Sequence, residues 1–270
     1  MVRAGDAWAA AARRPDGTIA VHRDRVDGWA GRFRRVPVVR GTVALASTVA
    51  LGMRALSWSR LVAEGEAQSR RSVVVATLMS VAVFVTVFAL APAAAARLIA
   101  DHGAAFAVTE ALARLVLFVG YVAAIGRLPG IRRTFEYHGA EHQAIAAAEA
   151  GDALDVDHVR RYSPRHARCG TDFLVLVAVV AIVAFALVSP PAWWALAASR
   201  VVLLPVVAGI AYEVLRVSDR PSVARWLTPV MVPAMAVQRL TTRRPSDAQI
   251  KVAIAAVEAA LAAADAPTTA

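Results

Sequence analysis

The segment "FEYHGAEHQAI", Phe135 to Ile145, places two histidines and a glutamate within five residues. On a helix turning about 100° per residue, His138 and His142 are roughly 40° apart in projection, so their imidazoles stack on one face and can share a metal ion. Glu141 projects about 60° to the other side of His138, within reach of a water bound to that metal. His-x-x-Glu-His is the order of the inverted zinc peptidases, in which the histidines bind zinc and the glutamate is the general base. The plainer alternative is a set of polar residues on an amphipathic helix near lipid headgroups.

A metal also needs a third protein ligand. In "YSPRHARCGTDF", Pro164 ends the preceding helix and Gly170 frees the backbone, which leaves His166 and Cys169 in a turn that can fold back on the histidine pair. If both bind, the site is a closed tetrahedron of three imidazoles and one thiolate, and its role is structural. If one binds, a position stays open for water and hydrolysis follows. Cys169 could equally be a small buried residue. Glu149 shares the histidine face but lies about 10.5 Å beyond His142 on a continuous helix, so it is expected outside the ligand set. Glu213, at the inner end of the last apolar segment, is expected to ligate or brace the metal, or to pair with Arg216.

These groups must be positioned by an unusually apolar chain. Its 270 residues are 58% hydrophobic, with mean hydropathy +0.53, which excludes an ordinary soluble domain. Val73 to Ala91 carries no charge, and Phe106 to Ile125 is interrupted only by Glu110 and Arg114. Each is long enough for a hydrocarbon core about 30 Å thick. Phe173 to Val188 and Trp193 to Leu215 form a second pair joined by "SPPAWW". Glu110 and Arg114, spaced i to i+4, can neutralise each other, while Arg200 lies near the outer end and can snorkel.

The expected fold is an all-α membrane protein with about four transmembrane helices in two hairpins, an interfacial helix, a small N-terminal β-hairpin and a C-terminal soluble helix. Residues 1–35 are expected to be a cytoplasmic hairpin segment, centred on the Pro15-Asp16-Gly17 turn. Residues 36–59 form an interfacial or re-entrant helix, with a fifth span as the alternative. The hairpins cover 73–125 and 173–215, and the cytoplasmic metal-site loop covers 126–172. Residues 216–264 form a C-terminal cytoplasmic segment and 265–270 a disordered tail. Within the C-terminal segment, Ser246 and Gln249 have capping-box spacing, and Ile250, Ile254, Val257 and Leu261 mark one helical face.

Of the 30 Lys and Arg, all but Arg97, Arg114 and Arg200 flank the spans on one side, which places that side and both termini in the cytoplasm of a multi-pass inner (plasma) membrane protein. Met1 to Arg35 is rich in arginine and is not expected to act as a signal peptide. The net charge of +10 flanks apolar segments, so the expected partner is a bilayer with anionic headgroups and not a nucleic acid. One cysteine allows no internal disulfide.

"FEYHGAEHQAI", "YSPRHARCGTDF", "AYEVLR" and "QRLTTRRPSDAQIKVAIAAVEAAL" together resemble the YqhQ-like family of bacterial membrane proteins, a domain of unknown function described as metal-dependent enzymes. The resemblance implies a metal at the histidine motif without naming a substrate. The family carries a glycine-rich apolar segment ahead of the position of Met1, so a longer natural chain is expected, and it has a lysine where Gln143 stands. The expected function is a zinc hydrolase acting on a peptide or lipid at the inner face. The alternatives are a zinc-stabilised scaffold that recruits a protein partner, and a small transporter using Glu110, Arg114 and Glu213.

Overall fold

The computed structural model describes residues 1–26, 36–65, 69–166, 170–188, 192–218, 232 and 235–266. Cys169, the apolar run "WLTPVMVPAM" except Val232 and Met235, and residues 267–270 of the expected tail lie outside them.

The N-terminal residues form a three-stranded antiparallel sheet in the order β1-β2-β3, with β1 Val2–Ala4, β2 Ala7–Arg13 and β3 Ile19–Arg25. The expected Pro-Asp-Gly turn joins β2 to β3 in a register running from Arg13↔Ile19 to Ala7↔Arg25. Asp16 Oδ1 accepts the Thr18 amide at 2.9 Å, and Gly17 takes φ 87°, a conformation that favours glycine. The alternation of β2 is faint in sequence because both faces are covered. Ala9 packs with α5 and α9, while Trp8 and Ala10 pack on Leu51 and Ala55 of α1. Here α1 is Val39–Glu64, α5 is Pro129–Ala150 and α9 is Asp247–Asp265.

Proline at N1 starts α5, and Gly151, at φ 73°, ends it. A capping box opens α9, in which the Ser246 amide donates to Gln249 Oε1 at 2.7 Å. Ile250, Ile254 and Val257 are buried against α5 and the sheet, but Leu261 is 44% exposed and its neighbour Ala260 is the buried residue of the last turn.

Among the described residues three helices are long and apolar enough to cross a membrane: the composite Arg71–Arg97, α4 Gly103–Ile125 and α8 Trp193–Ser218. The apolar run of α7 (Gly170–Leu187), Asp172–Leu187, is shorter than these. At 26 residues, α1 outruns the expected 36–59 segment and is not among the three. Only 6% of the most apolar window in Arg71–Arg97 is buried, so its Leu78, Met79 and Val83 face outward, as compatibility with a membrane requires.

The composite helix consists of α2 (Arg70–Phe84), a π-helical turn (Val85–Leu90) and α3 (Ala91–Arg97). Pro92 has no N–H and its ring presses on the carbonyl four residues back, which is that of Phe88. Widening into a π-turn relieves the contact and leaves that carbonyl needing a donor. Arg114 of α4 supplies it, with Nε 3.1 Å from Phe88 O. The same guanidinium reaches Glu110 Oε1 at 2.6 Å, the i to i+4 pair read from the sequence.

Arg200 of α8 does not snorkel. It is fully buried, donating Nε to Glu110 Oε1 at 2.9 Å, a terminal nitrogen to Oε2 at 2.6 Å, and another to Val188 O at 2.6 Å. An inward-facing carboxylate on α4 gives it a better partner than the headgroups. The Phe185 ring lies between the two guanidiniums, 4.6 Å from Arg114 and 4.7 Å from Arg200.

At their other end, α1 and α8 cross closely. A Cβ at Gly209 would meet Val38 O at 2.4 Å, and Val38 itself takes φ 68°.

Candidate metal centre

On α5 the motif histidines do stack. Their ring centroids are 4.4 Å apart, and His142 is buried while His138 is half-buried. Two other segments hold them from behind. His138 Nδ1 lies 2.9 Å from Thr241 O, and His142 Nδ1 lies 2.8 Å from Pro164 O. A carbonyl oxygen only accepts, so each Nδ1 carries a ring proton. Metal-ligating histidines are fixed in this manner.

Gly139 makes the arrangement sterically available. A Cβ there would sit 2.1 Å from Arg243 O and 3.2 Å from Pro164 Cβ, so only a hydrogen lets both segments close on α5 between the histidines. The Arg243 amide then donates to Phe135 O at 3.0 Å and keeps the segment of residues 241–243 in place.

His166 approaches as expected, with its ring centroid 5.9 Å from that of His142. Its Nε2 donates to Glu149 Oε2 at 3.1 Å. Glu149 thus lies outside the histidine pair, as its helical position predicts, and orients the third imidazole.

Two groups that sequence reasoning did not single out fix the backbone of this turn. The buried Gln238 accepts from the His166 amide at 3.3 Å and donates to His166 O at 2.9 Å and to Asp172 Oδ1 at 2.7 Å. Both Gln238 and Asp172 are fully buried. They stand inside "QRLTTRRP" and "CGTDF", so the family-like stretches carried the only available signal.

Further supports enclose the segment between α5 and His166. Asp155 caps α6 (Val156–Val159), accepting the amides of Asp157 at 3.0 Å and His158 at 2.9 Å. Those bonds, the His158 amide first, hold its carboxyl below the ordinary carboxylate range. Tyr162 donates to Asp152 at 2.6 Å, which pushes the phenol pKa upward. Gln143 is buried and donates to Tyr162 O at 2.6 Å.

Glu141 and Glu213 are placed elsewhere. The Glu141 carboxylate lies 3.3 Å from the Met1 ammonium and faces the sheet, not the histidine pair. Glu213 pairs with Arg40 of α1, taking Nε at 2.6 Å and a terminal nitrogen, and so ties α1 to α8 instead of meeting Arg216 or the histidines. Among the described residues no three His, Cys, Asp or Glu converge as a metal-holding group. The histidine pair, each ring anchored through Nδ1, fits part of a metal site, and Cys169 lies outside the described residues.

The class so defined is a mostly helical protein with, among the described residues, three helices apolar enough to cross a membrane, and with a paired-histidine cluster. The chain belongs to the family described as "Protein of unknown function (DUF1385)", whose model matches residues 36–263. It is similar to the "Uncharacterized protein YqhQ" of Bacillus subtilis (strain 168), with 37% identity over 145 residues. That match covers 54% of this chain and 46% of the relative, so it spans about half the length of each. No solved structure matches the chain.

Proposed function

We propose that this is a multi-pass inner-membrane protein that holds a divalent metal, zinc, at its cytoplasmic face and uses it to hydrolyse a peptide or lipid. The observation that carries the reading is the anchoring of both motif histidines through Nδ1 to backbone carbonyls with their rings stacked 4.4 Å apart, the manner in which metal-ligating histidines are fixed.

The topology supports four crossings. The sheet, α5 and α9 share one core, so they lie on one side of the bilayer. The chain therefore crosses an even number of times between β3 and α5, met by Arg71–Arg97 with α4, and again between α5 and α9. If α8 crosses, α7 must cross with it. Eighteen helical residues reach about 27 Å, short enough to ask for modest local thinning. By the same parity α1 stays at the interface, and the arginine-rich side faces anionic headgroups.

In this reading His138 and His142 hold the metal, and His166, or Cys169, completes the set. Glu149 keeps the His166 ring turned by holding its Nε2 proton. When bound, zinc supplies Lewis acidity and a water acidic enough to ionise near neutral pH. Glu141 accepts a proton only if it leaves the Met1 ammonium. That placement of Glu141 favours a second reading, a zinc clamp that braces a scaffold without turnover.

The test is the zinc content of the purified protein. About one equivalent is expected in the wild type, with near-complete loss in His138→Ala and His142→Ala and full retention in Glu141→Gln. Equal zinc in wild type and both histidine variants removes the metal reading. Retained zinc with unchanged turnover in Glu141→Gln removes this glutamate as the base.

A further inference from the structure

A second feature lies on the opposite side of α5, away from the histidines. Where α4 ends and Pro129 opens α5, Arg13, Arg132 and Arg133 surround a recess of ≈ 360 Å³. Arg13 reaches across from β2 and donates to Ala248 O, while its Nε, shielded from solvent, has no hydrogen-bond partner among the described residues. Arg132 is shared with Glu136 at 3.4 Å, and Glu136 also takes the Gln249 amide at 3.0 Å. Arg133 lies over the Tyr137 ring, 6.0 Å from its centroid. Three guanidiniums against one carboxylate leave the recess with an excess of positive charge at the end of an apolar helix, the depth at which lipid phosphates sit.

A second cavity of ≈ 480 Å³ shares the wall made by Arg13, Arg133 and Tyr137. It runs beneath α1 and is lined largely by small apolar side chains, among them Ala55, Leu56, Ala253 and Ala256. Glu141 is the one carboxylate among its lining residues, and that charge is met by the Met1 ammonium. A basic recess adjoining an apolar chamber across shared lining residues, each of ligand size, matches a molecule with an anionic head and a hydrocarbon tail.

We propose that the two cavities bind one membrane phospholipid with an anionic phosphate headgroup, the phosphate against Arg13, Arg132 and Arg133 and an acyl chain in the chamber under α1. The site needs no metal, so it stands or falls separately from the zinc reading. Binding orders α1 against the sheet and couples the cytoplasmic layer to the lipid composition of the inner leaflet.

The test uses the delipidated full-length chain in detergent with chelator present, titrated with dioleoyl phosphatidic acid, with dioleoyl phosphatidylcholine and with inorganic phosphate. Phosphatidic acid is expected to bind one to one and at least about tenfold tighter than phosphatidylcholine, and Arg13→Gln with Arg133→Gln together should remove most of that preference. Gly52→Leu probes the tail. Gly52 lines the chamber on α1, and a Cβ there meets nothing within 4 Å, so the larger side chain fills the cavity without disturbing the helix. It is expected to weaken phosphatidic acid binding about tenfold and to leave Tm and phosphate affinity unchanged. Equal affinity for the two lipids overturns the proposal. So does an unaltered lipid affinity in Gly52→Leu, which would mean surface adsorption only, and so does inorganic phosphate binding as tightly as the lipid.

Discussion

Gly139 and the two histidines beside it divide what one residue can and cannot reveal. The His-x-x-Glu-His spacing is readable because helical periodicity alone stacks His138 on His142. The role of Gly139 is the absence of an atom, and its importance depends on Arg243 O approaching from a distant part of the chain. Gly139→Ala is expected to destabilise the protein by about 1–3 kcal/mol, since backbone cannot yield as a side-chain tip does. It should also lift Thr241 O from His138 and lower zinc content. Gly130→Ala on the same helix meets nothing within 4 Å and should be neutral or stabilising, by up to about 1 kcal/mol. Melting both variants in detergent beside a zinc assay checks the contrast. Glu141 shows the converse: its motif position is conspicuous, yet its carboxylate turns to the Met1 ammonium because that side of α5 faces the sheet.

At the scale of elements, the buried charges of α4 are held by their neighbours. The Glu110–Arg114 pair follows from i to i+4 spacing, but Arg200 joins it from 90 residues away, and Phe88 O is made available to Arg114 by Pro92. One carboxylate thus links α4 with α8, while Phe185 of α7 fills the space between the two guanidiniums. Glu110→Gln strands two buried cations and is expected to cost about 3–5 kcal/mol, whereas Arg200→Met leaves Glu110 paired with Arg114 and should cost less. The order of their melting temperatures, with Glu110→Gln the lower, is the check. An equal loss in the two variants would mean that the carboxylate is not the common partner.

For the whole molecule, the histidine cluster doubles as a constraint on topology. Because α5, the Pro164 turn and residues 238–243 meet there, the segments flanking α7 and α8 are brought together, and in the proposed topology they share a side. A reporter active only in the cytoplasm, fused after Ala264, should be active, and a periplasmic reporter there should be silent; the reverse outcome requires an odd number of crossings. The apolar runs, the basic flanks, the Pro-Asp-Gly hairpin and the Ser246–Gln249 cap were legible in the chain because each is a local matter of composition or of spacing within a turn or two. Arg200 on Glu110, Arg40 on Glu213, Gln238 on His166 and the arginine recess were decided by tertiary structure alone. Each joins residues far apart in sequence, and a buried charge or amide takes the partner that the packing of its helix brings within 3 Å or so, which no local periodicity encodes.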